Sequence, residues 1–242
     1  MSDGIYTALS GAIARNRQLE VVSHNLANAD TDGYRAKRVS FSEVLAGEDV
    51  ADRQVAMEGS RLDLSQGALQ ETGNPLDVAV TGRGFLQVQA GAGGEQASLT
   101  RNGNLRVDAD RRLVTQSGHP VLNIDGLPIY VPGDAANIQI APDGLIFDEI
   151  GVLDEIRLVD VQDPQALQAS GDGLYTTAQQ NLMPAQGASL EQGFVENANV
   201  NPVESMTEMI ALHRHFDTMH QLMKTYRTMD QQAINKVGKS SG

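Results

Sequence analysis

Three side chains in one stretch, His213, Asp217 and His220, are spaced by four and then three residues, so a helix would gather two imidazoles and a carboxylate on one face. Such a set could hold a metal ion. It is incomplete, because the chain has no cysteine and His215 belongs to another side of the same helix. The plainer reading is a polar flank beside an apolar seam, and no metal or other cofactor is expected. Gly82-Arg83-Gly84 begins like a phosphate-binding turn, but Gln87 stands where the third glycine belongs and a strand pattern follows. It reads as a bend. Asp148-Glu149 and Asp154-Glu155 offer carboxylate pairs of the kind a glycosidase uses. A sugar cleft also needs aromatic platforms, and a chain with 4% aromatic residues and no tryptophan hardly supplies them. These pairs read as solvated charge. With no nucleophile–base pair in the pattern, no enzyme is expected.

The elements that would position these residues are mostly helical at the two ends. Asn201-Pro202-Val203-Glu204 sets a preferred N-cap, a proline at the first helical position and an early carboxylate. Beyond it Met209, Leu212, Phe216, Met219, Met223 and Tyr226 recur at steps of three and four. Neither glycine nor proline interrupts the run before Gly238, so the spacing predicts one helix of roughly 50 Å. A helix that long needs a partner. Ile5, Leu9, Ala12, Leu19 and Leu26 repeat the spacing at the other terminus, with Ser2 and Asp3 able to cap and Asn16 and Ser23 at polar seam positions. The two stripes are expected to pair as a coiled-coil stalk. Met206, Met209, Met219, Met223 and Met229 would serve as core filler or as an adaptable face for unlike neighbours.

Composition narrows the partners. The chain of 242 residues is 40% hydrophobic and carries a formal charge of −13. Residues 41–195 hold 8 Lys/Arg against 22 Asp/Glu, whereas both ends are close to neutral. An acidic middle repels phosphate backbones and anionic lipid, so neither nucleic acid nor a membrane surface is an expected partner. No run approaches the roughly 18 apolar residues of a membrane helix, so direct membrane insertion is not expected, and the N-terminus lacks the pattern of a cleaved signal. Taken alone, these features point to the cytoplasm.

The middle reads as all-β. Short β-branched runs punctuated by glycine extend from about Leu69 to Ala178, among them Leu76 to Val80, Phe85 to Val88, Leu113 to Thr115 and Ile156 to Val161. Arg101-Asn102-Gly103-Asn104 is expected to be a hairpin turn joining Ser98–Thr100 to Leu105–Val107. The predicted fold class is α+β, with N- and C-terminal helices paired as a stalk and a central antiparallel all-β domain. Residues 1–35 and 200–242 would make the stalk, 36–75 and 179–199 a connector, and 76–178 the β domain. Phe41, Val44 and Leu45 suggest a short helical turn within the connector. Gln66-Gly67-Ala68-Leu69 is echoed by Gln192-Gly193-Phe194-Val195, as though the chain left and re-entered through similar strands.

Asn25-Leu26-Ala27-Asn28, Thr31 and Gly33-Tyr34-Arg35 resemble the N-terminal signature of the bacterial flagellar rod and hook proteins. Gly73 to Val80, Gly82 to Phe85, and Thr100-Arg101 with Gly103 resemble that family's central segments. Gln192-Gly193, Glu196, Asn199-Val200 and Met209-Ile210 resemble its C-terminal signature. The likeness spans almost the whole chain, with Asp32 and Ala198 departing from the commonest pattern. Within the family the compact connector and the length are most like the proximal rod protein, and the distal rod protein is the alternative.

The resemblance implies a structural subunit of the basal-body rod, exported by the flagellar type III apparatus without a cleaved signal. It would polymerise in the periplasmic space with copies of itself and with other rod subunits, and transmit torque. An extendable shaft needs head-to-tail contacts, and the two stripes would supply them. Asn25, Asn28, Gly33 and Tyr34, with Leu26 and Ala27, would be either a recognition element for export or a helix stop, the second being simpler. Outside the family, the alternative is a soluble glycan-binding β domain dimerised by its terminal helices.

Overall fold

The computed structural model describes residues 2–45, 53–90, 96–132 and 137–239. They divide into two compact units, one of Met1–Ala27, Lys37–Arg61 and Asn201–Gly242, the other of Asn28–Ala36 and Leu62–Val200. The class is α+β.

In the first unit, helix α1 spans Ser2–Ala27 and helix α2 spans Pro202–Lys239. At 38 residues α2 is about 57 Å long. The Asn201 carboxamide oxygen accepts the amides of Val203 and Glu204 at 3.1 and 3.3 Å, as an N-cap should. The two helices touch along one side. Gln18 donates to Glu208 at 2.8 Å, and a β-carbon on Gly11 would meet the Met219 methyl at 3.8 Å. A later residue of α1 thus faces an earlier residue of α2, so the pair is antiparallel. Ala12, Val22 and Leu212 are buried there. Asn16 and Ser23, expected at seam positions, are exposed instead. Small Ala12 and branched Val22 take the buried face, and the Asn16 amide bonds outward to Glu20.

Strands β1 (Lys37–Leu45) and β2 (Arg53–Leu62) form a two-stranded ribbon. The helical turn expected at Phe41, Val44 and Leu45 is therefore strand. Val39-Ser40-Phe41-Ser42 alternates apolar and polar, which is a strand period. Asn25, near the end of α1, joins this ribbon to the helix. Its side chain accepts the Lys37 amide and donates to the Lys37 carbonyl, each at 2.8 Å, replacing a neighbouring strand at that point.

The second unit is built of short antiparallel strands. Its main sheet has six: β13 (Gln168–Gly171), β14 (Leu174–Ala178), β6 (Gln96–Thr100), β5 (Phe85–Val88), β12 (Leu158–Val161) and β15 (Leu182–Pro184), in that spatial order. A second sheet orders β11 (Val152–Glu155), β10 (Leu145–Phe147) and β9 (Gln139–Ile140). Three pairs complete it: β16 (Ser189–Gln192) with β4 (Val78–Thr81), β17 (Phe194–Glu196) with β3 (Leu69–Glu71), and β7 (Leu105–Val107) with β8 (Leu113–Thr115). Leu86, Leu113, Ile129, Ile146 and Ile156 lie at the centre of the larger apolar cluster, and Phe85, Leu99, Val159 and Tyr175 form a smaller one.

Strands therefore continue beyond Ala178. The echoed phrases lie side by side, with Leu69 opposite Glu196 and Glu71 opposite Phe194. Asn102-Gly103 does not make a hairpin, because β6 pairs with β5 and β14 while β7 pairs with β8. Its backbone is used elsewhere. The Gly103 carbonyl accepts the Val78 amide at 3.0 Å, and a β-carbon on Gly103 would collide with the Val78 carbonyl.

Candidate functional site

The expected chemical residues have structural work. His213, Asp217 and His220 are all exposed on α2, and the His220 ring meets Phe216 edge-on at 4.5 Å. Among the described residues no group of three potential ligands could hold a metal ion. Gly82 turns the chain with φ +87°, and its carbonyl accepts from Arg101. Asp148 caps a turn by accepting the amides of Ile150 and Gly151, and Asp154 accepts the Asn123 amide.

Two other places hold the chain's notable chemistry. The first lies wholly in the β unit. Glu196, at the end of β17, is fully buried, and one carboxylate oxygen accepts from Arg35 and from the Gly67 amide, both at 2.7 Å. The other accepts from Arg101 at 3.0 Å. Arg101 also donates to the Val80 carbonyl at 2.8 Å and lies over the Phe85 ring at 5.4 Å. Two buried cations thus share one carboxylate, with buried Asp160 as a more distant counter-charge. Burial holds the Arg101 guanidinium below its ordinary pKa and Arg35 pushes the same way, while Glu196 opposes both.

Tyr175 completes this clamp. Its hydroxyl accepts the Arg35 amide at 2.8 Å, and its ring packs on Phe85 with centroids 5.7 Å apart. Burial pushes the Tyr175 phenol up to about 12 and raises Tyr34 further. Asn199 forms a second hub: its amide donates to the Asp63 and Ser65 carbonyls, and its oxygen accepts the Ala36 amide at 2.7 Å. Gly33, with φ +70°, lies so close to Arg101 and Asn102 that a β-carbon would strike their backbone. Asn28 receives the Thr31 hydroxyl at 3.4 Å, and Asp32 receives the Asn104 amide. The motif residues Gly33 and Tyr34 are thus buried structure, whereas Asn25, Leu26 and Asn28 are half-buried and Ala27 exposed.

The second place is the helical face. Of the expected stalk residues, Ala12 and Leu212 are buried, and Leu19, Leu26, Met209, Phe216, Met219 and Met223 are half-buried. Ile5, Leu9 and Tyr226 lie within the helices, but their side chains fall outside the described residues. A shallow groove runs between Ala12, Ile13 and Asn16 of α1 and Phe216 and Met223 of α2. Sequence reasoning missed a second stripe. Val203, Met206 and Ile210 are 73%, 52% and 62% exposed on the first turns of α2, on a different side from Leu212. Their spacing of three and four was the available signal. For the clamp, the signal was a charged residue at or just beside the end of a strand, at Arg35, Arg101 and Glu196.

Comparisons with known proteins bear on both places. The profile of the "Flagella basal body rod protein" family matches residues 5–35, that of the "Flagellar hook protein FlgE/F/G D1 domain" residues 79–147, and that of the "Flagellar basal body rod FlgEFG protein C-terminal" residues 191–236. The chain is 31% identical to the flagellar basal-body rod protein FlgF of Mesorhizobium japonicum, over 100% of both chains. The chain belongs to the flagellar basal-body rod protein family. This rod protein is also 35% identical to FlgF of Salmonella typhimurium, over 96% of itself and 95% of that relative. With FlgG of Bacillus subtilis it shares 31% identity over 97% and 99%. It is a structural subunit of the flagellar basal body and not an enzyme, and family membership implies assembly with other rod subunits. A glycan-binding dimer gives way to that assignment. The family profiles overlap the clamp from both ends, since Arg35 closes the first matched segment and Glu196 lies in the last.

Proposed function

We propose that this chain is a proximal rod subunit whose terminal helices are its assembly surface. The observation that carries the reading is α2, which covers Leu212 with α1 yet leaves Val203, Met206 and Ile210 open to solvent. A monomer has no use for such a stripe, whereas a neighbour that buries it gains about 1.5–3 kcal/mol per large side chain. In the rod, Ile5, Leu9, Ala12, Leu19 and Leu26 with Met209, Leu212, Phe216, Met219, Met223 and Tyr226 form a coiled-coil stalk. The partners are copies of this chain and other rod subunits, joined head to tail so that the shaft can extend.

Export follows from the same reading. The chain leaves the cytoplasm through the flagellar type III apparatus without a cleaved signal and assembles in the periplasmic space, its helices ordering fully as neighbours cover them. The acidic β unit keeps it from nucleic acid. The FlgF-named relatives favour the proximal position, and the full-length likeness to a FlgG-named relative supports the distal position as the second reading. Mass spectrometry of cross-linked basal bodies from cells making a tagged chain tests both. Cross-links to the subunits at the base of the rod support the proximal position, cross-links to hook protein support the distal one, and absence from purified basal bodies refutes both.

A further inference from the structure

We propose that the Arg35–Glu196–Arg101 clamp is a latch: residues 33–36, 62–67 and 196–199 release from the β unit together, freeing the Glu196 end of β17, while the rest of its sheets stay folded. The three segments flank the positions where the chain passes out of this unit and back. They are fastened to one another by polar groups. Gly33 donates to the Glu196 carbonyl at 2.6 Å, Asn199 to the Tyr34 carbonyl at 3.3 Å, and Asp63 to the Ala36 carbonyl at 2.8 Å. The Glu196 carboxylate and the Asn199 amide bind all three segments. Neither apolar cluster has a buried member in the three segments; only Leu62 and Leu64, half-buried, rest against the smaller one.

The energetics of the clamp differ from those of the sheets. Opening an apolar sheet exposes hydrocarbon to water, which is unfavourable throughout. Opening the clamp returns Arg35 and Glu196 to water and uncovers Arg101, which stays bonded to the Val80 and Gly82 carbonyls, and hydration offsets much of the attraction lost. The closed clamp is also incompletely satisfied. Nε and Nη1 of Arg35 and Nε of Arg101 are buried without a hydrogen-bond partner among the described residues, and each such donor favours the open form. The segments therefore hold together as one polar unit with a lower opening cost than the core. Such local, cooperative opening is a known mode of folded proteins.

Native-state hydrogen exchange on the full chain tests this. The amides of Gly33, Ala36, Gly67 and Asn199 report the latch, and those of Leu113, Val121 and Ile129, which bond within the large cluster, report the sheets. The expected result is one common protection factor for the four latch amides, at least about tenfold lower than that of the three sheet amides. Tyr175→Phe removes the hydroxyl that receives the Arg35 amide and donates to the Gly33 carbonyl, and it should speed the four together by about fivefold while leaving the three unchanged. Latch amides protected as strongly as the sheets, or each with its own protection factor, overturn the proposal. So does a variant that speeds all seven alike. If Tyr175→Phe does not fold, the unmodified chain alone decides.

Discussion

Arg35 and Glu196 stand 161 residues apart in the chain, yet their guanidinium and carboxylate meet at 2.7 Å with neither side chain open to solvent. The pair therefore closes about two-thirds of the sequence on itself, 161 residues out of 242. Glu196→Gln would leave two guanidiniums buried without their carboxylate, and loss of one partner from such a site costs about 3–5 kcal/mol. Urea denaturation of the purified protein should show that loss. The exposed pair Arg17–Glu20 is the control, since Arg17→Ala should change stability by less than about 1 kcal/mol.

Gly33 and Gly73 share φ +70° but not their surroundings. Nothing lies near the space a β-carbon would take on Gly73, so Gly73→Ala should cost about 1–2 kcal/mol, the backbone penalty alone. Gly33→Ala adds a collision with the Arg101–Asn102 backbone and should cost markedly more. Equal thermal melting of the two variants would contradict the packing described for the motif.

The buried phenols predict an alkaline limit. Tyr175 ionises near 12 in the folded chain and at its ordinary value near 10 when unfolded, so between these values the unfolded state has lost a proton that the folded state keeps. The stabilisation is whole below pH about 10 and is lost as pH rises through about 12. Tyr34 adds to it in the same direction. Denaturation followed across this range should show the fall, and Tyr175→Phe should flatten it.

The two faces of α2 should respond differently. Leu212 is covered by α1, and truncating a buried leucine to alanine costs about 2–5 kcal/mol, so Leu212→Ala should loosen the helix pair in the isolated protein. Ile210 is open, so Ile210→Glu should leave isolated stability within about 0.5 kcal/mol yet block assembly. Circular dichroism reads the first effect and motility in soft agar the second.

Much of this was legible in the sequence, for identifiable reasons. The capped start of α2 and its uninterrupted stripe are local signals, and local signals fix local structure. The short strands around Val78, Phe85 and Leu113 were visible for the same reason. Asn102-Gly103 misled because a turn-forming dipeptide also suits any loop that must pack closely against another backbone, here those of Val78 and Gly33. The clamp was hidden because nothing in the spacing of Arg35, Arg101 and Glu196 says that three strand ends converge. They meet only through long-range pairing, in which β17 sets Glu196 beside Leu69 of β3 and the β5–β6 pair carries Arg101. The exposed stripe of Val203, Met206 and Ile210 had the right period, but sequence alone does not say which of two apolar faces is already covered.

The central claim is that the open face of α2 is covered by neighbours in the rod. The chain has no cysteine, so Ile210→Cys introduces a single thiol whose reaction with a maleimide reports that face alone. Labelling should be rapid in the dilute protein and strongly suppressed in intact, isolated basal bodies. Equal labelling in both would contradict the account, because the helix face would then be as open in the assembled rod as in the free subunit.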